Sequence, residues 1–127
     1  MSTAESELLD VTQQLLKAID AGDWAAYAKF CHEQITCFEP EAEGHLITGL
    51  PFHKFYFDLP GGGTPRQSSA ASPLIRVIGD VGIVCYARVV QKLNADGAPV
   101  SVVADETRIW QRINGNWKHI HFHRSPC

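Results

Sequence analysis

Three arginines lie at strand-like positions among apolar residues in the second half of the chain: Arg88, Arg108 and Arg124. Charged side chains rarely enter such surroundings unless they are paired or line a pocket. Converging guanidinium groups repel one another unless carboxylates or a bound anion lie between them. Guanidinium is also the group best suited to bidentate capture of a carboxylate. The pattern therefore indicates a pocket for a small anion.

The same arginines could instead belong to an internal network of ion pairs. Their partners would be Glu106, Asp105 or the acidic cluster formed by Glu39, Glu41 and Glu43. That cluster is either a solvated turn or the source of a carboxylate that points at the arginines. A network and a pocket are compatible, and the sequence leaves both open.

The register of the last hairpin decides which side chains share a face with the arginines. Asn114-Gly115 is the strongest short-range hairpin signal, and a simple two-residue turn puts Arg108 and Arg124 on different faces. A bulge at Gly115 shifts the pairing by one residue and puts both on one face. We favour the bulged form, because it separates a face with Trp110, Phe122 and Glu106 from a polar face with Thr107, Gln111, His119, His121 and His123.

The three alternating histidines suggest a metal tract, but their spacing argues against one. Alternate strand residues are roughly 6.6 to 6.8 Å apart, so His119 and His123 lie about 13 Å apart. Metal–nitrogen bonds are near 2.0 Å, so a straight strand cannot bring all three to one ion. We expect no metal and no cofactor, and interpret the histidines as a polar sheet face or a subunit contact.

His53 is the remaining candidate for proton chemistry. Pro51 predicts a short helix over 51–59, which places His53 on one face with Tyr56 and Phe57. His53 is either a hydrogen-bonded residue at the edge of the core or a general base that works with a glutamate. No G-x-S-x-G nucleophile pattern occurs, and the glycines in 60–72 lack the Lys-Ser/Thr of a phosphate loop.

Helical and strand periodicities place these residues in an α+β domain. An amphipathic helix is predicted over 6–21, with a capping box from Ser2 to Glu5 and a stop at Gly22, and Asp23 caps a second helix. Short strands are predicted at 35–39 and 46–49, a flexible loop over 58–72, and four antiparallel strands from Leu74 onward. The helices should pack on one face of the curved sheet.

The strand over 83–93 is apolar on both faces. An antiparallel strand normally keeps one wet face, so this strand should be covered twice, by a helix on one side and by a partner subunit on the other.

The totals exclude several classes of protein. At 127 residues the chain is expected to form one domain, 1–127, and its net charge of −3 with scattered basic residues argues against nucleic-acid binding. Four cysteines without C-x-x-C spacing favour reduced thiols. Neither a signal peptide nor an apolar run of roughly 20 residues occurs, so we expect a soluble cytoplasmic protein without membrane contact.

The chain resembles the association (hub) domain of calcium/calmodulin-dependent protein kinase II, in the nuclear transport factor 2-like superfamily with its cystatin-like fold. The resemblance runs from about Leu8 to Ser125. Its specific marks, in order, are FEPEAEG (38–44), GLPFHKFYFD (49–58), CYARV (85–89), DETRIW (105–110) and HFHRS (121–125).

The resemblance implies a cone-shaped sheet around a long N-terminal helix, and assembly into homodimers and larger rings. It also implies a ligand-binding pocket that takes a small carboxylate or an acidic peptide. The pocket residues carry over to Arg88, Arg108, Arg124 and His53, with Tyr56 nearby. Glu39 is added as the member of the acidic cluster that would point at the arginines.

The chain departs from the family at several points. It has no glycine-rich nucleotide loop, no H-R-D and no D-F-G, so we expect a stand-alone, non-catalytic oligomerisation domain, with any kinase partner encoded elsewhere. Lys54 replaces the arginine usual after the histidine, and the 58–72 loop is shorter. The rival hypothesis is a small pocket enzyme, an isomerase, dehydratase or hydrolase, with His53 or Glu39 as general base and an arginine stabilising the oxyanion.

Overall fold

The computed structural model of the chain describes residues 1–59 and 65–126. The elements are α1 (Thr3–Ala21), α2 (Trp24–Phe30), β1 (Cys31–Phe38), a 3₁₀ turn (Pro40–Ala42), β2 (Ile47–Thr48), α3 (Pro51–Phe57), β3 (Arg66–Ile78), β4 (Val81–Leu93), β5 (Pro99–Ile113) and β6 (Asn116–Arg124). The six strands form one sheet in the order β2-β1-β6-β5-β4-β3. Neighbouring strands are antiparallel except β1 and β6, which are parallel. The predicted α+β class, a curved sheet with a long N-terminal helix, is confirmed.

The helix ends follow the predicted local signals. The Ser2 hydroxyl accepts a hydrogen bond from the backbone N–H of Glu5, whose carboxylate accepts one from the backbone of Ser2. Gly22 ends α1 in the left-handed region at φ 66°, which favours glycine. Asp23 then caps α2 through the N–H of Ala26. These caps fix where α1 stops and so position its last turn beside the sheet.

The prediction of a flexible loop over 58–72 is wrong from residue 66 onward. Strand β3 begins at Arg66, eight residues before the predicted start, and pairs with β4 from Arg66–Lys92 to Ala71–Ala87. Small residues such as serine and alanine carry a weak strand signal, but the ladder with β4 supplies the backbone hydrogen bonds that a loop would lack. The part of the predicted loop at 60–64 lies outside the described residues.

The last hairpin adopts neither predicted register. Asn114 and Gly115 both have positive φ, 51° and 81°, so they form the two-residue turn that suits an Asn-Gly hairpin. The bulge lies farther along β6, at Ile120, because Ile109 pairs with His121 whereas Trp110 pairs with His119. The prediction of a bulge at Gly115 is therefore wrong, but the prediction that Arg108 and Arg124 share one face of the sheet is correct.

The position of the bulge changes which residues share that face. Glu106 pairs with Arg124 and Arg108 pairs with Phe122, so these four residues point to the same side of the sheet. His119, expected on the polar face, lies on the inner face and is fully buried. His121 and His123 stay on the outer face, so the predicted tract of three histidines is divided between the two sides.

The core lies between α1, α2 and the inner face of the sheet. Its fully buried members include Leu8 and Leu15 of α1, Ile35 of β1, Val84 of β4 and Trp110 of β5. Helix α1 presents its apolar face to β3 and β4. Glu106, Arg108 and His119 are buried on the same inner face, beside this core.

The outer face of β4 is apolar, as the sequence predicted. Ile83, Cys85 and Val89 alternate outward and are half-buried within the single chain. Their cross-strand neighbours are more exposed to solvent. Leu74 on β3, opposite Cys85, is 54% exposed, and Val103 on β5, opposite Val89, is 49% exposed. The three helices pack on the opposite side, so the outer face has no cover from them.

Gly82 marks the closest approach of α1 to the sheet. A Cβ atom at this position would lie 2.4 Å from Cδ1 of Leu8, which is fully buried. We expect Gly82→Ala to lower the free energy of unfolding by about 1–3 kcal/mol, because the core must shift to admit the methyl group. Denaturant unfolding at a fixed protein concentration measures the change. A smaller loss from Gly82→Ala in a Leu8→Ala background than in the wild type would identify this contact as the cause. A loss of free energy of unfolding in Gly82→Ala below a few tenths of a kcal/mol would contradict it.

Candidate functional site

A cavity of about 340 Å³ opens between α3, the end of α1 and the inner face of the sheet. It is lined by all six residues that the sequence analysis assigned to a pocket: Glu39, His53, Tyr56, Arg88, Arg108 and Arg124. The β4–β5–β6 ladder brings in the arginines, because each occupies an inward position of its strand. Helix α3 brings in His53 and Tyr56. Glu39 comes from the residue that follows β1.

Arg108 lies at the centre of a buried polar network and is 1% exposed. Its Nη2 donates to Glu106 over 2.9 Å, and its Nε donates to the hydroxyl of Tyr86 over 2.8 Å. Tyr86 in turn donates to the same carboxylate over 2.5 Å. Nη1 of Arg108 lies 3.5 Å from Nε2 of His119. The buried guanidinium is thus held by one carboxylate and two neutral groups.

Arg88 joins this network from the neighbouring strand. Its Nη1 lies 3.4 Å from the second carboxylate oxygen of Glu106, and its Nη2 donates to Asp20 over 3.1 Å. Its Nε donates to the hydroxyl of Ser68 over 3.0 Å. Glu106 therefore bridges two arginines, which confirms one of the predicted network partners. Asp105 does not take that role, because its side chain lies on the outer face of β5. Its backbone N–H donates a hydrogen bond to the hydroxyl of Ser125.

Arg124 forms a separate pair at the β1 side of the cavity. Its Nη2 donates to the carboxylate of Glu41, while the nearest carboxylate oxygen of Glu39 lies 3.6 Å away. The acidic cluster thus faces the arginines through two of its members. Glu43, the third member, is exposed and ends the 3₁₀ turn in the left-handed region at φ 50°.

Electrostatics in the network favour the ionised carboxylate at Glu106. Burial alone would raise the pKa of Glu106, but Arg108 and Arg88 outweigh burial and hold that pKa below its usual value. Burial would likewise lower the pKa of Arg108, yet the charge of Glu106 raises it. The pair is therefore an ion pair that each partner keeps charged.

Glu39 and His53 have pKa values shifted in opposite directions. Burial and the neighbouring charge of Glu41 raise the pKa of Glu39 to about 6. Burial and Arg108 lower the pKa of His53 to about 4. Nδ1 of His53 lies 3.7 Å from Oε1 of Glu39, and that oxygen is buried without a hydrogen-bond partner among the described residues. At neutral pH the cavity therefore holds a neutral imidazole beside a loosely held carboxylate.

The lowered pKa of His53 predicts a pH dependence of stability. The unfolded chain takes up this proton near pH 6.5 and the folded chain only near pH 4, so acidification favours the unfolded state. We expect the stability of the wild type relative to His53→Gln to fall by roughly 2 to 3 kcal/mol between neutral pH and pH 4. Urea unfolding of both proteins across this range measures the difference. A difference that stays constant with pH would contradict the lowered pKa.

A second group of cations lies at the β3 side of the cavity. Arg66 and Lys92 are cross-strand partners, and both side chains line the cavity. With the three inner arginines they bring the cationic side chains of the lining to five. Glu39, Glu41, Glu106 and Asp20 supply four carboxylates to the network, and Asp20 also accepts a hydrogen bond from Ser68 of β3 over 2.9 Å. Within residues 1–59 and 65–126, Arg66 and Lys92 are the cationic side chains of the lining that make no ion pair.

One set of possible metal ligands borders the cavity. Cys37, Glu39 and His53 bring a sulfur, a carboxylate oxygen and a ring nitrogen within 4.8 Å of one another. Burial raises the pKa of the Cys37 thiol to about 12, which favours the neutral thiol. The charges of Glu39 and Glu41 raise this pKa further, whereas those of Arg108 and Arg124 lower it. Because the thiolate is the form that binds metal, this set does not by itself indicate a metal site.

Sequence reasoning missed three contributors to the site. Asp20 carried one available signal, because an acidic residue in the last turn of a helix opposes the helix dipole and usually has a local partner. Arg66 and Lys92 carried none, since their meeting depends on the early start of β3.

Among the described residues, no helix is both long enough and apolar enough to cross a membrane.

Proteins with low sequence identity share the fold. A nuclear transport factor 2-like superfamily protein from Salmonella enterica is 20% identical, with a TM-score of 0.79 over 97% of this chain and 90% of that one. This similarity confirms the predicted fold and carries no information about the chemistry of the cavity.

Proteins with higher identity identify the family. A model of the calcium/calmodulin dependent protein kinase II association domain matches residues 4–127. The calcium/calmodulin-dependent protein kinase type II subunit delta of Oryctolagus cuniculus is 40% identical over 124 residues, which cover 95% of this chain and 23% of that protein. The chain thus spans about a quarter of this kinase relative.

Solved structures agree with the family match. The hub homology domain from Chlamydomonas reinhardtii is 46% identical with a TM-score of 0.93, over 98% of this chain and 99% of that one. The association domain of the C. elegans kinase is 36% identical with a TM-score of 0.91, over 97% of this chain and 95% of that one. The chain therefore belongs to the calcium/calmodulin-dependent protein kinase II association domain family.

Proposed function

We propose that this chain is a self-assembling hub module whose cavity binds a small carboxylate or an acidic peptide segment. The observation that carries the assembly half is the apolar outer face of the sheet. Cys85 and Val89 of β4 are flanked on that face by Leu74 and Val103, each about half exposed in the single chain. A contiguous apolar patch of this kind is typical of a protein–protein interface.

Membership in an association-domain family supports a second copy of the chain as the partner for this face. Homodimers formed through the sheet would cover β4 on both sides, and dimers would associate further into rings. The match covers 23% of the kinase relative, so in that protein a domain similar to this chain is joined to other segments. A kinase that carries such an association domain is therefore the heterologous partner that we propose.

A charged substitution on the outer face tests the assembly half. Leu74→Glu places a carboxylate among apolar neighbours, and we expect it to reduce the native mass at micromolar concentration because burying an unpaired charge is costly. Gln13→Glu is the matched control, since Gln13 is exposed on α1, on the opposite side of the sheet from the apolar outer face, and the variant adds the same charge. Native mass spectrometry reports both. An unchanged mass for Leu74→Glu would place the interface elsewhere.

The carboxylate half is supported by the charge surplus of the cavity. Five cationic side chains line it, and Arg88 and Arg108 are held in place by the network of Glu106 and Tyr86 before any ligand arrives. Preorganised donors avoid part of the entropic cost of binding. Titration calorimetry with butyrate should give heat, whereas butyramide, which has the same shape without the charge, should give none. Equal heats from the two ligands, or none from either, would contradict this half.

An acid–base enzyme remains a second candidate because of one observation. Oε1 of Glu39 is buried, borders the cavity and has no hydrogen-bond partner among the described residues, so it can accept a proton from a bound substrate. Exchange of α-protons of bound carboxylic acids with deuterated water, followed by NMR, tests this role. Exchange that persists unchanged in Glu39→Gln would exclude Glu39 as the base.

A further inference from the structure

Two histidines continue the outer face of the sheet from its apolar half onto β6. The strand registers place them in two rows that cross the sheet. The first row holds Leu74, Cys85, Thr107, His123 and Phe38, and the second holds Arg76, Ile83, Ile109, His121 and Thr36. Neighbouring strands are about 4.8 Å apart, so His123 lies about 10 Å from Cys85 along its row. A partner copy that covers Leu74 and Cys85 with an interface of ordinary size therefore also covers the imidazoles.

Uncharged side chains flank the two imidazoles on β1 and β5. The ring centroid of Phe38 lies 6.2 Å from that of His121 and 5.5 Å from that of His123. Nδ1 of His121 lies 2.7 Å from the hydroxyl oxygen of Thr36. Phe38 is 37% exposed in the single chain, so its ring and both imidazoles form a further surface that a second copy would cover.

The outer face also carries charged residues, and none of them is paired with the histidines. In the described residues of β3 to β6 these are Arg76, Asp105 and Lys118. Within residues 1–59 and 65–126, neither His121 nor His123 forms an ion pair with Asp105 or with another carboxylate. A proton on either histidine would therefore add an unpaired positive charge to a face that already carries Arg76 and Lys118.

Burial disfavours the protonated form of an imidazole on this face. In the single chain, burial and the neighbouring His123 already lower the pKa of His121. A second copy would remove more water, and a symmetric dimer would place each positive charge in the interface twice. Separated chains therefore bind protons more readily than the assembly does, and a fall in pH favours separation.

We propose that acid dissociates the assembly, because His121 and His123 take up protons more readily when the outer face is uncovered. This proposal rests on the proposed assembly through that face and adds its regulation. It does not depend on a ligand in the cavity, which opens on the inner face of the sheet.

Sedimentation velocity of the intact protein tests the proposal at one ionic strength. The measurements are made at about pH 7.5 and about pH 5.5, one unit to each side of the ordinary imidazole pKa of about 6.5. An imidazole of that pKa that must be neutral in the interface raises the dissociation constant about tenfold at the lower pH. We expect the dissociation constant of the wild type to rise by at least about this factor, and to return when the pH is restored. Circular dichroism at the lower pH reports whether the chain stays folded.

Glutamine variants assign the effect to the two histidines. The double variant His121→Gln, His123→Gln keeps polar side chains but cannot take up the protons, so it should remain assembled at the lower pH. His121→Gln alone should lose part of the pH dependence, so the test does not rely on the double variant. His45→Gln is the matched control and should dissociate like the wild type, because His45 is exposed and precedes β2. Glu39, with a pKa of about 6, is unchanged in all of these variants.

The outcomes separate this proposal from the proposed function. Equal dissociation constants of the wild type at the two pH values would overturn acid dissociation and keep the assembly. A pH dependence that persists unchanged in the single and double histidine variants would overturn the assignment to His121 and His123. A wild type that is already monomeric at the higher pH would overturn the proposed assembly, and this regulation with it.

Discussion

Glu106→Gln is expected to lower the free energy of unfolding by about 3–5 kcal/mol, because it leaves a buried guanidinium without its carboxylate. Arg108 is 1% exposed, and Glu106 is 2% exposed. Glutamine keeps the size of the side chain, so the change removes charge rather than volume. Arg88 also loses one of its two carboxylate partners, although Asp20 remains. Urea unfolding at one protein concentration gives the loss, since subunit association also contributes to stability.

The control for this variant is an ion pair on the surface. Lys54 and Asp58 are joined over 2.7 Å on α3 and its cap, and both are at least half exposed. Asp58→Asn should cost less than about 1 kcal/mol. A loss in Glu106→Gln as small as that of the control would mean that the network does not hold Arg108 in its charged form.

Trp110→Ala is expected to lower the free energy of unfolding by about 3–5 kcal/mol, the usual range when a large aromatic side chain is removed from a core. Trp110 is fully buried on β5. Its ring centroid lies 6.3 Å from that of Phe30, in an edge-to-face arrangement, and 5.0 Å from that of His119. The cavity left behind would lie next to Arg108. Thermal and urea unfolding measure the loss, and near-ultraviolet circular dichroism reports whether packing around the site survives.

Trp110→Phe separates the volume of the side chain from its polar atom. Nε1 of Trp110 is buried without a hydrogen-bond partner among the described residues, so phenylalanine removes an unsatisfied group while it keeps an aromatic ring. We expect less than half of the loss seen for Trp110→Ala. Equal losses in the two variants would show that stability depends on the indole specifically, contrary to this explanation.

The parts of the fold that sequence reasoning predicted correctly are those fixed by local chemistry. The capping box at Ser2, the left-handed stop at Gly22 and the cap at Asp23 each depend on a few consecutive residues. The Asn114-Gly115 turn is local in the same sense. Elements whose boundaries depend on distant partners were less accurate. Strand β3 begins at Arg66 because β4 pairs with it, and no residue of 66–72 signals that pairing by itself.

The bulge at Ile120 illustrates the same limit. Strand β6 pairs with β5 on one side and with β1 on the other, and both pairings shift in register close to the same place. Strand β1 pairs through Cys31 with His119 and through Thr36 with His121. A bulge that must satisfy two neighbouring strands cannot be located from the turn residues alone. It moves His119 into the core, which the alternation of the hairpin did not predict.

The sequence indicated most of the residues of the candidate site, but not which carboxylate each arginine contacts. Arginine in a strand between apolar residues is a strong signal, so Arg88, Arg108 and Arg124 could be chosen from the sequence. The partners that hold them come from α1, β4, β5 and the turn after β1. Glu106 and Glu41 were among the candidate partners in the sequence, whereas Asp20 was not. These contacts join residues that are distant along the chain, and only the folded sheet brings them together.

The measurement that tests the central claim most directly is the native mass of the wild-type protein. A single chain has a mass of 14.0 kDa. Light scattering and native mass spectrometry at micromolar concentration should find a dimer or a larger, even-numbered ring of copies, because the apolar outer face of the sheet needs a partner. A monodisperse species of one-chain mass under these conditions would contradict the assignment of this chain as a self-assembling hub.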